Sequence, residues 1–316
     1  MFQAISVILP VIAVIFVGYF SGRRGVLSPA QVATLNRFVF VLAAPALLFR
    51  NVALTEFPEI IPWGLWLSYY GAMLLAMGLS ILAAFVFLPA TRPAEKVIIG
   101  FGSSFSNTVM LGIPILLTAF GMQAGLPLFL VLAFHGLLVF TVALIGLEVT
   151  TNPALNWRQF VPKLGRAMRD QHVMMGLAAG VFWNFTGLGL VAPVDRFLEL
   201  LGSAAIPVAL IAVGGRLAFI PWRASLGPSL YIGVFKLAIH PFLVFCCASF
   251  LFNLPPLFVA TITVLAAMPT GVFTAVFAEQ YETAEATASS AIVVTTVLGA
   301  VSIALWLSLF TELLVD

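Results

Sequence analysis

Ten apolar runs, each near the length of a membrane-crossing helix, follow one another along this chain with short polar connections between them. A helix needs about 20 predominantly apolar residues to cross the hydrocarbon core of a bilayer. Backbone groups find no water there, so a spanning segment must satisfy its own hydrogen bonds, and runs of this length do so as helices. The runs cover residues 4–22, 33–53, 63–88, 97–120, 125–149, 171–189, 199–219, 226–251, 257–278 and 284–311. Of the 316 residues, 62% are hydrophobic and 8% charged, with a mean hydropathy of +1.15. A soluble domain could not cover its surface with so little charge. The longest polar connection, residues 151–170, leaves no room for one. The expected fold class is therefore an all-α polytopic membrane protein of ten transmembrane helices, with the lipid bilayer as its first partner.

Charge placement sets the expected orientation. With ten spans, alternate connections lie on alternate sides of the membrane. Eleven basic residues (Arg23, Arg24, Arg37, Arg92, Lys96, Arg158, Lys163, Arg166, Arg169, Arg216 and Arg223) fall on one set of connections. Two, Arg50 and Arg196, fall on the other, and Lys236 lies inside the eighth span. The positive-inside rule assigns the eleven to the cytoplasm. Both termini are then expected outside it, in a multi-pass protein of the cell (inner) membrane. MFQAISVILP lacks the basic start and small-residue cleavage site of a signal peptide, so the first span is expected to be retained. Cys246 and Cys247 are adjacent in one apolar span and offer neither a disulfide framework nor metal-ligand spacing. No metal, organic cofactor or nucleic-acid partner is expected. Asn184-Phe185-Thr186 fits the glycosylation pattern, but at the end of a span that reading carries little weight.

The basic connection 151–170 divides the runs into five and five, so 1–150 and 171–316 are expected to form two inverted five-helix repeats. Matched prolines support the division. FVLAAPALLF (40–49) in the second span and GSAAIPVALI (202–211) in the seventh each place proline after small residues, offset by 162 positions. Pro114 in the fourth span and Pro269 in the ninth are offset by 155. A proline inside a helix removes one backbone hydrogen bond and clashes with the carbonyl one turn earlier. Paired interruptions in corresponding spans are the sequence-level pointer to a secondary transporter's binding site. Spans 4 and 9 are expected to break at Gly112-Ile113-Pro114 and Pro269-Thr270-Gly271, each new half-helix starting with proline near its first turn.

Two half-helix N-termini meeting at mid-membrane would present unsatisfied N–H groups and positive dipole ends, a setting suited to a carboxylate. Polar side chains gather at both breaks: Ser103, Ser104, Ser106, Asn107 and Thr108 at the first, Thr261, Thr263, Thr270 and Thr274 at the second. The candidate substrate-binding residues are Asn107, Ser104, Ser106, Thr108, Gly112, Pro114, Pro269, Thr270, Gly271, Phe273 and Thr274. Serine and threonine hydroxyls in helices often do no more than cap nearby backbone. Asn107 offers two donors and an acceptor and is the strongest of the set. In span 8, Lys236 and His240 lie one helical turn apart on one face and are candidate anion partners. The plain alternative is a snorkelling lysine and a structurally bonded histidine. His135 reads as a satisfied interior histidine, and Glu148 and Glu279 as solvated span ends. No Asp or Glu occupies the middle third of a span. A coupling ion, Na+ or H+, stays open, and a metal cation would have to use carbonyls and hydroxyls. There is no buried Asp pair, nucleophile elbow or zinc-binding histidine motif, so no enzyme is expected.

Several of these stretches also act as marks: RRGVLSPAQVATLNRFVFVLAAPALLF (23–49), Ser106-Asn107-Thr108 with Gly112-Ile113-Pro114, and IPVALIAVGGRLA (206–218). Lys236 with His240-Pro241, and Met268-Pro269-Thr270-Gly271, complete the set. Over essentially its whole length the chain resembles the auxin efflux carrier family, which includes bacterial organic-acid transporters such as malonate carriers and the plant auxin carriers. The resemblance implies ten spans in inverted repeats, with spans 4 and 9 crossing at their prolines and substrate beside the crossing. It also implies a scaffold of spans 1, 2, 6 and 7 that forms a homodimer, with transport spans 3–5 and 8–10 moving against it as an elevator. Gly176 and Gly180 offer a small-residue face of the kind that lets helices approach, between protomers or within one. The distantly related sodium/bile acid symporters share the crossing and add sodium sites. In one departure, Phe273 stands where family members often carry asparagine, which tilts the expected substrate toward an aromatic or apolar part. The expected function is a secondary transporter of a small organic anion, a carboxylate, by alternating access. The alternatives are a substrate-gated channel or receptor on the same fold, or a sodium-coupled organic-anion symporter.

Overall fold

The computed structural model describes residues 2–55, 62–151, 162, 165, 172–310 and 312. Arg158, Lys163, Arg166 and Arg169 of the basic connection lie outside the described residues. Among those described there is no strand. The helices are α1 Phe2–Arg23, α2 Pro29–Ala53, α3 Trp63–Phe87, α4 Pro93–Gly102, α5 Ile113–Phe120 and α6 Gly125–Thr151. They continue as α7 His172–Phe185, α8 Ala192–Leu217, α9 Arg223–Leu251, α10 Pro256–Ala266, α11 Phe273–Gln280 and α12 Glu285–Ser308. Among the described residues, six helical segments are long and apolar enough to cross a membrane: α2, α3, Thr108–Thr151, α8, α9 and α12. The 44 residues of Thr108–Thr151 would reach about 66 Å as one rod, roughly twice the hydrocarbon core. The chain instead turns at Gly121 (φ 65°), where glycine meets no side-chain penalty, and α5 and α6 lie on either side.

Helix starts follow local chemistry. Ser28 opens α2 with a capping box: its Oγ accepts from the Gln31 N–H (3.3 Å), Gln31 Oε1 accepts from the Ser28 N–H (2.8 Å), and Pro29 takes the first helical position. At α4 the Arg92 N–H donates to Glu95 (3.0 Å), with Pro93 again at the first position.

Helices α1, α2, α7 and α8 pack on one another, and small residues let them close. A Cβ on Gly214 of α8 would stand 1.9 Å from the Ile15 carbonyl oxygen, and one on Gly18 of α1 2.2 Å from that of Ile211. On α7, a Cβ at Gly176 would fall 2.6 Å from Pro45 Cα and one at Gly180 2.8 Å from Phe49 O. This glycine face is thus occupied within the chain, by α2. Asn184 donates its amide to the carbonyls of Val52, Ala53 and Thr55 (2.8–3.2 Å), covering the end of α2, so the residue reads as a cap and not as a glycan acceptor. Arg50 grips Asp195 through two bonds of 2.7 and 3.1 Å and ties α2 to α8. The second group packs α3 on α4, α4 on α6, and α9 on α3, α10 and α12. Side chains such as Leu82, Phe85, Phe182 and Val301 are exposed and apolar, as a lipid-facing surface requires.

Candidate functional site

Two helices stop inside the apolar bulk. Helix α4 ends at Gly102, and helical structure resumes at Thr108 as a wide turn, Thr108–Gly112, that runs into α5. Helix α10 ends at Ala266 and α11 starts at Phe273. Pro269 disfavours helical backbone at Met268, which explains the second stop. The two open stretches satisfy each other. Ser106 and Thr270 form an antiparallel bridge, the Asn107 N–H donates to Pro269 O (2.8 Å), and the Gly271 N–H donates to Phe105 O (2.9 Å). Only glycine fits at 271, because a Cβ would lie 2.2 Å from the Phe105 ring.

The first interruption differs in place from the one expected at Gly112-Ile113-Pro114. It falls at Ser103–Asn107, and Pro114 sits at the start of α5 without stopping it. The proline ring threatens the carbonyl four residues earlier, on Met110, and the widened turn relieves that clash. Pro269 likewise lies in the extended stretch and not in a first helical turn.

The orphan carbonyls at the two stops are capped by side chains from other elements: Gly102 O from the opposite half of the chain, Ala266 O chiefly from its own. Thr270 Oγ1 donates to Gly102 O (2.8 Å), while the Thr270 N–H donates to Thr295 Oγ1 (3.0 Å). Ala266 O accepts from Lys236 Nζ and, at 3.4 Å, from Ser106 Oγ. Ser104 turns back on Gly100 O (3.1 Å). Thr274 is buried against Gly102 with its hydroxyl unpaired. Gly112 gives room to Leu265, and Pro114 packs toward Ala205 and Ala209 of α8. These residues therefore hold the crossing in shape.

A small cavity of about 60 Å³ opens beside it, walled by Ser106, Asn107, Thr108, Val109, Gly271, Val272 and Phe273. Phe40, Phe105, Leu132, His135, Phe140, Val173 and Met174 close it. Asn107 is 7% exposed, and its side-chain amide has no hydrogen-bond partner among the described residues. The backbone N–H groups of Val109, Val272 and Phe273 likewise meet no backbone acceptor among the described residues, as first-turn amides do. Two helix N-termini, one from each half of the chain, thus reach one cavity. Phe273 packs against Phe140 (ring centroids 4.7 Å) and gives this wall an aromatic face.

Lys236 is fully buried and off the cavity wall. Its Nζ donates to Ala266 O and lies 3.2 Å from His240 Nδ1, while His240 Nε2 has no partner among the described residues. His135 departs from the expectation of a satisfied histidine. It lines the cavity stacked on Phe105 (5.5 Å, 20°), approaches the Ser106 backbone, and neither ring nitrogen makes a hydrogen bond. Its neighbours Tyr69, Tyr70 and Phe105 offer ring faces in place of acceptors. Glu148, expected to be solvated, accepts from Tyr281 Oη at 2.6 Å. Among the described residues no cluster of three His, Cys, Asp or Glu could hold a metal ion.

The sequence pattern of the family described as Membrane transport protein matches residues 3–154 and 166–307. A protein of Rhizobium meliloti (strain 1021) named as a malonate transporter is 28% identical over 303 residues, 96% of this chain and 94% of its own. An uncharacterized transporter of Methanocaldococcus jannaschii is 24% identical over 319 residues, 95% of this chain and 97% of its own. Auxin efflux carrier component 3a of Oryza sativa subsp. japonica is 26% identical over 179 residues, 54% of this chain and 28% of its own. Matched through both halves, and across both stretches that meet at the cavity, this chain belongs to the Membrane transport protein family, that of the auxin efflux carriers.

Proposed function

We propose that the chain is a secondary transporter that moves a small organic anion, a carboxylate, through the cavity beside the crossing. The observation that carries this reading is the meeting of the free Asn107 amide with unpaired first-turn N–H groups from both halves of the chain. Donors and positive dipole ends without acceptors suit an anion. The full-length relative named for malonate transport supports a carboxylate, and the Phe273 and Phe140 rings favour one with an apolar or aromatic part. In this proposal Asn107, Ser106, Thr108, Gly271 and Phe273 contact substrate. Ser104, Gly112, Pro114, Pro269, Thr270 and Thr274 shape the crossing, and Lys236 and His240 brace it from behind.

The finer architecture belongs to the same proposal: ten spans in two inverted repeats, 1–150 and 171–316, joined through 151–170, with spans 4 and 9 broken at the crossing. The mutual packing of α1, α2, α7 and α8 suits a scaffold against which the other helices move as an elevator. Dimerisation through that scaffold and extracytoplasmic termini complete it. A C-terminal reporter active only in the cytoplasm is expected to stay silent, and the mass in lipid nanodiscs to be that of a dimer; an active reporter or a monomeric mass would overturn the respective placement.

Counterflow in proteoliposomes tests the function. Vesicles preloaded with unlabelled malonate, succinate, benzoate or phenylacetate are expected to draw in the labelled form of at least one transiently above equilibrium. A channel gives no such overshoot. Exchange of none of the four would sink the carboxylate reading.

A further inference from the structure

Among the residues that wall the cavity, His135 carries the one ionisable side chain. It stands on α6, is 5% exposed, and leaves both ring nitrogens without a partner. Tyr69 and Tyr70 of α3 face it at ring-centroid distances of 6.0 and 6.2 Å. The Tyr70 hydroxyl is spent on Val131 O, and the Tyr69 hydroxyl, near Ser106, makes no bond of good geometry. Behind Tyr69, on α9, Lys236 and His240 lie within electrostatic reach. Among the described residues no carboxylate acts on His135. Buried polar atoms nearly always find partners; among the described residues the Ser106 main chain comes near this ring, yet neither nitrogen completes a hydrogen bond of good geometry. The cavity's occupant is the partner that remains.

We propose that His135 takes up a proton together with the transported anion, so that one proton crosses with each substrate. This inference rests on the reading that the cavity takes an anion. An imidazolium in apolar surroundings needs a counter-charge, and a carboxylate beside the ring supplies it. Asn107 and the helix N-termini hold the anion from the other side. By linkage, the anion strengthens proton binding by the factor with which the proton strengthens anion binding. The proton moves from solution on the loading side to a free ring nitrogen and returns to solution on the release side. No bond other than that N–H forms or breaks. Lys236 cannot serve in this way, because Ala266 O and His240 already hold it away from the cavity.

Calorimetry on the purified full-length protein separates the outcomes. Benzoate, whose own carboxyl titrates far below neutrality, and malonate are each titrated in two buffers of different protonation enthalpy. The difference in heat between buffers gives the protons taken up. The expected result is close to one proton per anion, with affinity falling by up to roughly tenfold per unit of rising pH. His135→Gln, which keeps a hydrogen-bonding side chain of similar size, is expected to bind more weakly, without proton uptake and with affinity flat in pH. Wild-type binding with no proton uptake would overturn the proposal even if the variant fails to fold, and so would a variant that keeps the wild-type uptake. Absence of any carboxylate binding to wild type would instead overturn the anion reading beneath it.

Discussion

Gly214→Val is expected to remove most of the folded protein, although the residue is remote from the cavity. A Cβ at this position would stand 1.9 Å from the Ile15 carbonyl oxygen and 2.8 Å from the Tyr19 nitrogen, so it drives into the main chain of α1. Rotamer changes cannot relieve a clash with backbone; α1 and α8 must move apart. Overpacking costs about 1–3 kcal/mol where side chains can adjust, and here there is no side chain to adjust. In a bilayer the loss weighs more, because helix association there depends on close van der Waals contact between small residues. Gly78 on α3 is the control, since a Cβ there meets nothing within 4 Å. Gly78→Ala should be neutral or gain up to about 1 kcal/mol from helix propensity. Size-exclusion profiles and melting midpoints in detergent read both. A monodisperse Gly214→Val protein melting with wild type would show that the α1–α8 contact is looser than described.

Much of the architecture was legible because hydrocarbon imposes a length and a polarity on every segment that crosses it. The apolar runs place most helices within a few residues, and Ser28 and Pro93 mark helix starts through chemistry confined to one turn. The prolines drew attention to the two stretches that pair, and Pro269 lies in the second. The first interruption was misplaced because its position is set by pairing with a stretch about 160 residues away, while Pro114 is accommodated by a local widening of the helix. Asn107 stood out as an amide in an apolar run. Whether its neighbours face the cavity or a carbonyl depends on the partner helix, so Ser106 and Thr108 could not be sorted from Ser104 and Thr270 in advance. Lys236 illustrates the same limit: its periodicity with His240 was visible, but its acceptor, Ala266 O, lies on another helix. His135 looked unremarkable for the converse reason, since a lone histidine gives no sign that its neighbours will present ring faces. Gly176 and Gly180 announced a close contact without saying with whom.

Asn107→Ala and Lys236→Met are expected to fail in opposite ways. The Asn107 side chain makes no capping hydrogen bond to its own helix, and the bonds to Pro269 O, Leu111 N–H and Gly112 N–H use its main chain. Truncation to alanine therefore leaves the crossing intact and the melting midpoint nearly unchanged. Substrate loses a hydrogen bond between an amide and a charged group, worth about 1.5–3 kcal/mol, so affinity should fall roughly ten- to hundredfold. Lys236→Met removes the amino group that caps α10, leaving Ala266 O with the long contact from Ser106 Oγ at 3.4 Å. A buried carbonyl left poorly paired costs about 1–3 kcal/mol, so this variant should melt several degrees lower, while affinity in the surviving folded protein changes by less than the Asn107 effect. Scintillation proximity with a labelled carboxylate, run beside thermal melts, reads both quantities on one preparation. Unchanged affinity in Asn107→Ala would move the binding site away from the crossing. Lys236→Met melting with wild type but losing its affinity would place the Lys236 amino group on the substrate and not on Ala266.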